Sequence, residues 1–269
     1  MNVIEAIILG VVQGLSEFLP VSSSGHLVLA EKLLGLPEEN VRFAIMVHLG
    51  TLLAVIIAYR GQVRRLLGGL FRGRVRYRHG RWRFSNPDTR LVCLLALATI
   101  PAAVAGAAVG GWIKALFFHP LAVGICLAVT GLVLFGLRFV RGREGAPTFR
   151  RALIIGLAQA AAILPGISRS GLTISAGIYS GLERTRAADF SFLLAIPVIL
   201  GAGLLEIGGM VTNGVTLSEV VSLLAGSAAA AVSGYLAIRF LLKIIQKGKL
   251  HYFAYYCWLA ALVVIILSV

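Results

Sequence analysis

Long apolar runs alternate with short polar ones along this chain. Those at 42–59, 91–111, 120–138, 188–208, 218–238 and 251–269 match the about 20 residues a helix needs to cross a bilayer core. Four further apolar runs, 2–19, 24–36, 152–164 and 171–182, are shorter or broken. The breaks are alike in composition: "PVSSSGHL" at 20–27 and "PGISRSGLT" at 165–173. Pro20 and Pro165 each end an inbound half-helix, because proline cannot continue the hydrogen-bond ladder. The serines after them are predicted N-caps of outbound half-helices. The pattern predicts an all-α polytopic membrane protein of six full spans plus two re-entrant helical hairpins.

Composition supports the membrane reading. Of 269 residues, 58% are hydrophobic, and a mean hydropathy of +0.91 is too apolar for a soluble domain. The first apolar run lacks a basic leader, so no cleavable signal peptide is expected. Cys93, Cys126 and Cys257 lie scattered in apolar runs and show neither metal-ligand spacing nor a disulfide framework.

The net charge of +14 at first suggests nucleic acid as a partner. Its distribution argues against that. Ten arginines fall in 60–90, five in 138–151, two in 183–187, and four Lys or Arg in 239–250, together 21 of 25 basic residues. Such loops mark the cytoplasmic face and meet anionic lipid heads; no nucleic acid is expected.

With all four basic loops inside, span 42–59 runs inward, so segment 1–40 must leave and return to the outer face as a hairpin. Span 91–111 runs outward, "WIKALFFHP" links outside, and 120–138 returns. Segment 152–182 lies between two inner loops and forms the second hairpin, entering from inside. Three spans follow, and both termini end outside. The two hairpins also align without gaps, 8–27 on 154–173, with Gly10/Gly156, Gln13/Gln159, Ser22/Ser168, Ser24/Ser170 and Gly25/Gly171 among the identities. The domain reading is one membrane domain with an inverted-topology repeat, 1–138 and 150–269, and a basic cytoplasmic loop at 60–90. Such folds carry their site at broken helices near the midplane.

The chemistry gathers at the breaks. The outbound half-helices point their N-termini, with free N–H groups and positive dipole character, at the tips, where an anion such as phosphate is favoured. Arg169 sits in the second tip. An arginine at bilayer depth costs about 2.5–3.5 kcal/mol on insertion scales, so it needs a partner. That partner is a phosphate, or Glu17, or each in turn. Glu17 stands four residues after Gln13 on one helix face, and is read either as a base or cation ligand, or as a buried neutral acid. Gln13 is a cation neighbour or a packing amide. His26, one turn beyond Ser23, is within reach of the tip, and serine, histidine and acid together suggest nucleophilic catalysis. Three serines in a row also suit simple capping. Ser168, Ser170 and Thr173 are candidate phosphate donors. His48, inside span 42–59, is read first as a packed polar residue, with lining of the cavity as the alternative.

"GVVQGLSEFLPVSSSGHL" (10–27) and "LPGISRSGLTISAG" (164–177) resemble the two signature motifs of the bacterial undecaprenyl-diphosphate phosphatase family, also called bacitracin-resistance protein. "FAIMVHLGTLLAV" and "ADFSFLLAIPVILGA" extend the likeness over essentially the whole chain. The resemblance implies hydrolysis of undecaprenyl diphosphate to the monophosphate and inorganic phosphate, recycling a lipid carrier for cell-wall synthesis. It also implies a divalent cation, Mg²⁺ or Ca²⁺, in a plasma-membrane site open to the outer face. The family's acid-or-amide and acid positions fall on Gln13 and Glu17, its serine pair on Ser22 and Ser23, and its histidine on His26. Its second motif falls on Pro165, Gly166, Ser168, Arg169, Ser170 and Thr173. The expected roles follow. Ser23, His26, Glu17 and Arg169 are catalytic; Ser22, Gly166, Ser168, Arg169, Ser170 and Thr173 hold phosphate; Glu17 and Gln13 hold the cation. The rival class is a flippase or anion transporter, which broken inverted repeats also suit. A homodimer stays open as a partner, with no contact surface singled out.

Overall fold

A computed structural model describes residues 1–36, 41–78, 81–117, 119–141, 144–210 and 216–266. Eleven α-helices make up these residues, with one β-hairpin and two short 3₁₀ turns. In order they are α1 (Val3–Phe18), α2 (Ser23–Leu33), α3 (Val41–Ala58), α4 (Arg60–Arg72), β1 (Val75–Arg78), β2 (Arg81–Phe84), α5 (Pro87–Phe117), α6 (Pro120–Gly136), α7 (Phe149–Ala161), α8 (Arg169–Tyr179), α9 (Arg184–Met210), α10 (Leu217–Gln246) and α11 (Phe253–Ile266). Stretches in α3, α5, α6, α9 and α10 are long and apolar enough to cross a membrane, the build of a multi-pass membrane protein.

Both expected helix breaks are present. The first interrupts α1 and α2, the second α7 and α8. The hairpin expected over 1–40 ends in residues 37–40, which lie outside the described ones. Elsewhere the helix limits differ from those the apolar pattern suggested, in both directions. The sixth expected span, 251–269, shows as α11 alone, a 14-residue helix, and 267–269 lie outside the described residues. The link expected at 112–120 is mostly helix, since α5 continues to Phe117 and Pro120 already opens α6; Phe118 lies outside. The basic segment 60–90 is not a plain loop. Val63, Leu66, Leu67 and Leu70 recur at helical spacing in α4, and a hairpin pairing Val75 with Phe84 follows. Segment 239–250 is helical as far as Gln246, because Arg and Lys are good helix formers and nothing breaks the ladder before Gly248, at φ 70°.

Small residues let these helices approach. α1 packs on α10 where a Cβ on Gly10 would overlap the Gly226 carbonyl, and α7 packs on α5 where one on Gly156 would overlap that of Ala98. α3 meets α9 and α6 meets α11. Between them Phe18 and Phe192 meet edge to face, ring centres 5.7 Å apart, among buried Leu94, Leu134, Ile155 and Ile174.

The basic segments gather at one end. Arg184 donates to the Val140 carbonyl (2.9 Å), Arg90 to that of Pro147 (3.2 Å) and Arg151 to that of Ser180 (3.0 Å). Gly145 pairs with Leu182, and the turn Leu250–Tyr252 packs on the turn Leu137–Phe139.

Candidate active site

The first tip leaves α1 at Leu19, in extended backbone before Pro20. The last turn of α1 carries Glu17, and Gln13, four residues earlier, donates its amide to Glu17 Oε2 at 2.9 Å. α2 opens at Ser23, whose hydroxyl donates to the same Oε2 at 2.7 Å. Ser22 occupies the N-cap position but does not cap: its φ is 70° and its side chain makes no cap bond. Instead its hydroxyl lies 3.3 Å from that of Ser24.

The second tip follows the expected chemistry more closely. Ser168 caps α8 by accepting from Gly171 N at 3.1 Å, and its hydroxyl is 3.2 Å from Ser170 Oγ. Thr130 on α6 braces this tip: its hydroxyl accepts from Ser168 N (3.1 Å) and shares its one proton between Cys126 O (3.1 Å) and Gly166 O (3.3 Å). Gly166 is required on two counts. Its φ is 89°, and a Cβ there would overlap the Val123 carbonyl.

The two tips touch. Ser170 donates to the Leu19 carbonyl at 3.2 Å. Arg169, the first residue of α8, pairs through Nη2 with Glu17 Oε1 at 2.5 Å. One carboxylate thus takes the guanidinium on one oxygen, and the Ser23 hydroxyl and Gln13 amide on the other. Arg169 Nη1 is buried with no hydrogen-bond partner, a donor left over at the junction.

Above this junction lies a cavity of about 360 Å³. Its polar lining includes Glu17, Ser22, Ser23, Ser168 and Arg169 of the expected set. The other expected residues stand elsewhere. Thr173 is fully buried behind the tip, 2.6 Å from Ser191 Oγ and donating to Arg169 O at 2.7 Å. Ser170 ties the tips together, Gly166 shapes its turn, and Gln13 sits behind Glu17, fully buried. The His26 ring does not reach Ser23 or Glu17. It bonds the Ser22 carbonyl through Nδ1 (2.8 Å) and Tyr256 Oη through Nε2 (2.6 Å).

The cavity also holds His48, for which the less favoured of two readings applies, and Glu31, which sequence reasoning missed. His48 is not packed away: its side chain is 40% exposed, with Nε2 3.7 Å from Glu17 Oε2 and Nδ1 2.7 Å from Ala44 O. Glu31 also lines the cavity; it lies seven residues after Ser24 on α2, and that spacing was the available signal. Among the described residues no three His, Cys, Asp or Glu cluster to hold a metal ion. A magnesium-type site does not need such a cluster, since one or two carboxylates with phosphate oxygens and water suffice. Glu17 and the unpartnered Gln13 Oε1 are the oxygens suited to it.

The family model of Bacitracin resistance protein BacA matches residues 6–263. The chain is 41% identical to an undecaprenyl-diphosphatase of Carboxydothermus hydrogenoformans, covering 100% of this chain and 98% of the relative. It is 42% identical to an undecaprenyl-diphosphatase of Rubrobacter xylanophilus, covering 99% of each. Another, from Korarchaeum cryptofilum, is 41% identical over 98% of this chain and 99% of its own.

Proposed function

This chain belongs to the bacitracin resistance protein family, and we propose that it is an integral membrane undecaprenyl-diphosphatase, hydrolysing the lipid carrier's diphosphate to the monophosphate and inorganic phosphate. The observation that carries the reading is the Glu17–Arg169 pair across two helix tips at the floor of a polar-based, apolar-walled cavity. A diphosphate fits that base and a prenyl chain fits those walls.

Phosphoryl transfer asks mainly for positioning and charge stabilisation. Arg169 holds the terminal phosphate with Nη1 and, on turning from Glu17, with Nη2. Ser22 and Ser168 hydroxyls and the N–H groups left unpaired at the start of α2 and α8 hold the remaining oxygens. Release of Arg169 frees the Glu17 carboxylate to take the Ser23 proton. Ser23 Oγ attacks the terminal phosphorus, the bond to the bridging oxygen breaks, and prenyl monophosphate leaves. Water then cleaves the phosphoserine, returning Ser23 and releasing phosphate. His48, beside Glu17, is the imidazole suited to relay the proton. Glu17 with Gln13 would hold a divalent cation, which supplies further charge neutralisation at the phosphates.

The finer architecture is part of the proposal. The packing of α1 on α10 and of α7 on α5 is reciprocal under an inverted repeat of 1–138 and 150–269, as is the Ser22–Ser24 and Ser168–Ser170 pairing. The clustering of basic segments at one end supports a cytoplasmic assignment for that end and an outward-opening site. The same reciprocal packing favours a second reading, a lipid or anion transporter. Purified protein separates the two. Phosphate release from a soluble short-chain prenyl diphosphate is expected, with a labelled phosphoenzyme on acid quench; translocation in vesicles without phosphate release would overturn the enzyme reading.

A further inference from the structure

His26 stands three residues from Ser23 in sequence, yet both its ring nitrogens are engaged on the far side of the tip. A carbonyl oxygen only accepts, so the 2.8 Å bond to Ser22 O puts the proton on Nδ1. Nε2 then has a lone pair and accepts from the Tyr256 hydroxyl at 2.6 Å. The two rings stack, 5.6 Å between centres and 17° apart. Neither nitrogen is left for Ser23.

The residue so gripped is the strained one. Among the described residues Ser22 is the only non-glycine with positive φ, and it lacks the side-chain cap that Ser168 makes at the matching place. The dihedrals of Ser22 set where Ser23 begins and hence the 2.7 Å approach of its hydroxyl to Glu17. Strained backbone persists only where its surroundings over-determine it. α11 supplies that constraint from two adjacent residues: Tyr256 through His26, and Cys257, whose thiol donates to Pro20 O at 3.3 Å.

We propose that Tyr256 and His26 form a strut from α11 that holds the first tip in its strained conformation and aims Ser23 at Glu17. His26 is thus a positioning residue acting through the Ser22 carbonyl, and Tyr256 one acting through His26. This rests on the phosphatase reading of the cavity.

The test uses phosphate release by the purified full chain in detergent. In His26→Asn the side-chain amide nitrogen replaces Nδ1–H as donor to Ser22 O but cannot relay a proton. It is expected to keep at least about a tenth of wild-type kcat with the wild-type pH profile, whereas His26→Ala drops roughly a hundredfold, as for lost positioning. Tyr256→Phe keeps the stacked ring and loses the donor, and is expected to lower kcat about tenfold with KM unchanged. His26→Asn no more active than His26→Ala overturns the strut, whatever Tyr256→Phe does, and so does Tyr256→Phe with full kcat. The phosphatase reading fails separately, if the wild-type chain releases no phosphate from a soluble prenyl diphosphate.

Discussion

The two helix tips carry matching serines in matching register, yet they are built to opposite ends. The second is relaxed: Ser168 has φ −76°, caps its helix, and is braced by Thr130. The first is strained: Ser22 has φ 70°, makes no cap, and is held through its carbonyl by His26. A relaxed, braced tip is a firm mount for a cation, and it carries Arg169. A strained tip spends stability on aim, and it carries Ser23. On the proposed mechanism, one sequence pattern would thus serve as an anion clamp in one place and a directed hydroxyl in the other, according to what packs beneath.

The contrast breaks most severely at the junction. Arg169→Ala, or Glu17→Ala, is expected to lower phosphate release about a thousandfold or more while the protein still purifies folded, since each removes a preorganised charge. Turnover within tenfold of wild type would show that the junction is structural. Next come the hydroxyls. Ser23→Ala should abolish the labelled phosphoenzyme and cost at least about a hundredfold in kcat, whereas Ser168→Ala should leave the phosphoenzyme, cost no more than about tenfold through one lost phosphate contact, and lose a cap of about 1 kcal/mol of stability. Equal kinetic losses at the two serines would erase the difference in role.

The bracing gives smaller effects. Thr130→Val leaves Ser168 N–H and Gly166 C=O without their partner, and about 1–3 kcal/mol of stability should be lost in denaturant unfolding in detergent. Smallest is the strain itself. Ser22→Gly should raise stability by about 1 kcal/mol, because glycine tolerates positive φ. The matching Ser168→Gly should lower it by a few tenths of a kcal/mol, since that backbone is unstrained and only a cap is lost. Stabilisation by both, or by neither, would remove strain from the comparison.

Much of this was legible in the residues. Pro20 and Pro165 mark the two breaks because proline ends a ladder wherever it lies. Gln13 and Glu17 share a face because they are four apart. A partner for Arg169 was required by the cost of its charge. The limits of the helices were less legible: α4 and the end of α10 carry arginine and lysine, which are polar enough to read as loop yet favour helix. His48 was open between a packed and a cavity-lining place for a different reason. α3 is apolar all round, so no polar face marks which side looks into the cavity. Thr173 fits a phosphate motif by spacing, but its hydroxyl turns inward to Ser191.

The sequence alone determined a helical membrane chain, broken twice at proline and serine, with an acid beside one break and, in the other, an arginine that needs a partner. These follow from local rules of ladder, period and desolvation, which act over a few residues. The tertiary structure alone decided which imidazole meets the carboxylate. His26 turns away because Tyr256, 230 residues later, takes its free nitrogen, and His48 turns in because α9 leaves room beside α3. Such choices depend on neighbours brought together only by packing, and no local pattern of residues encodes them.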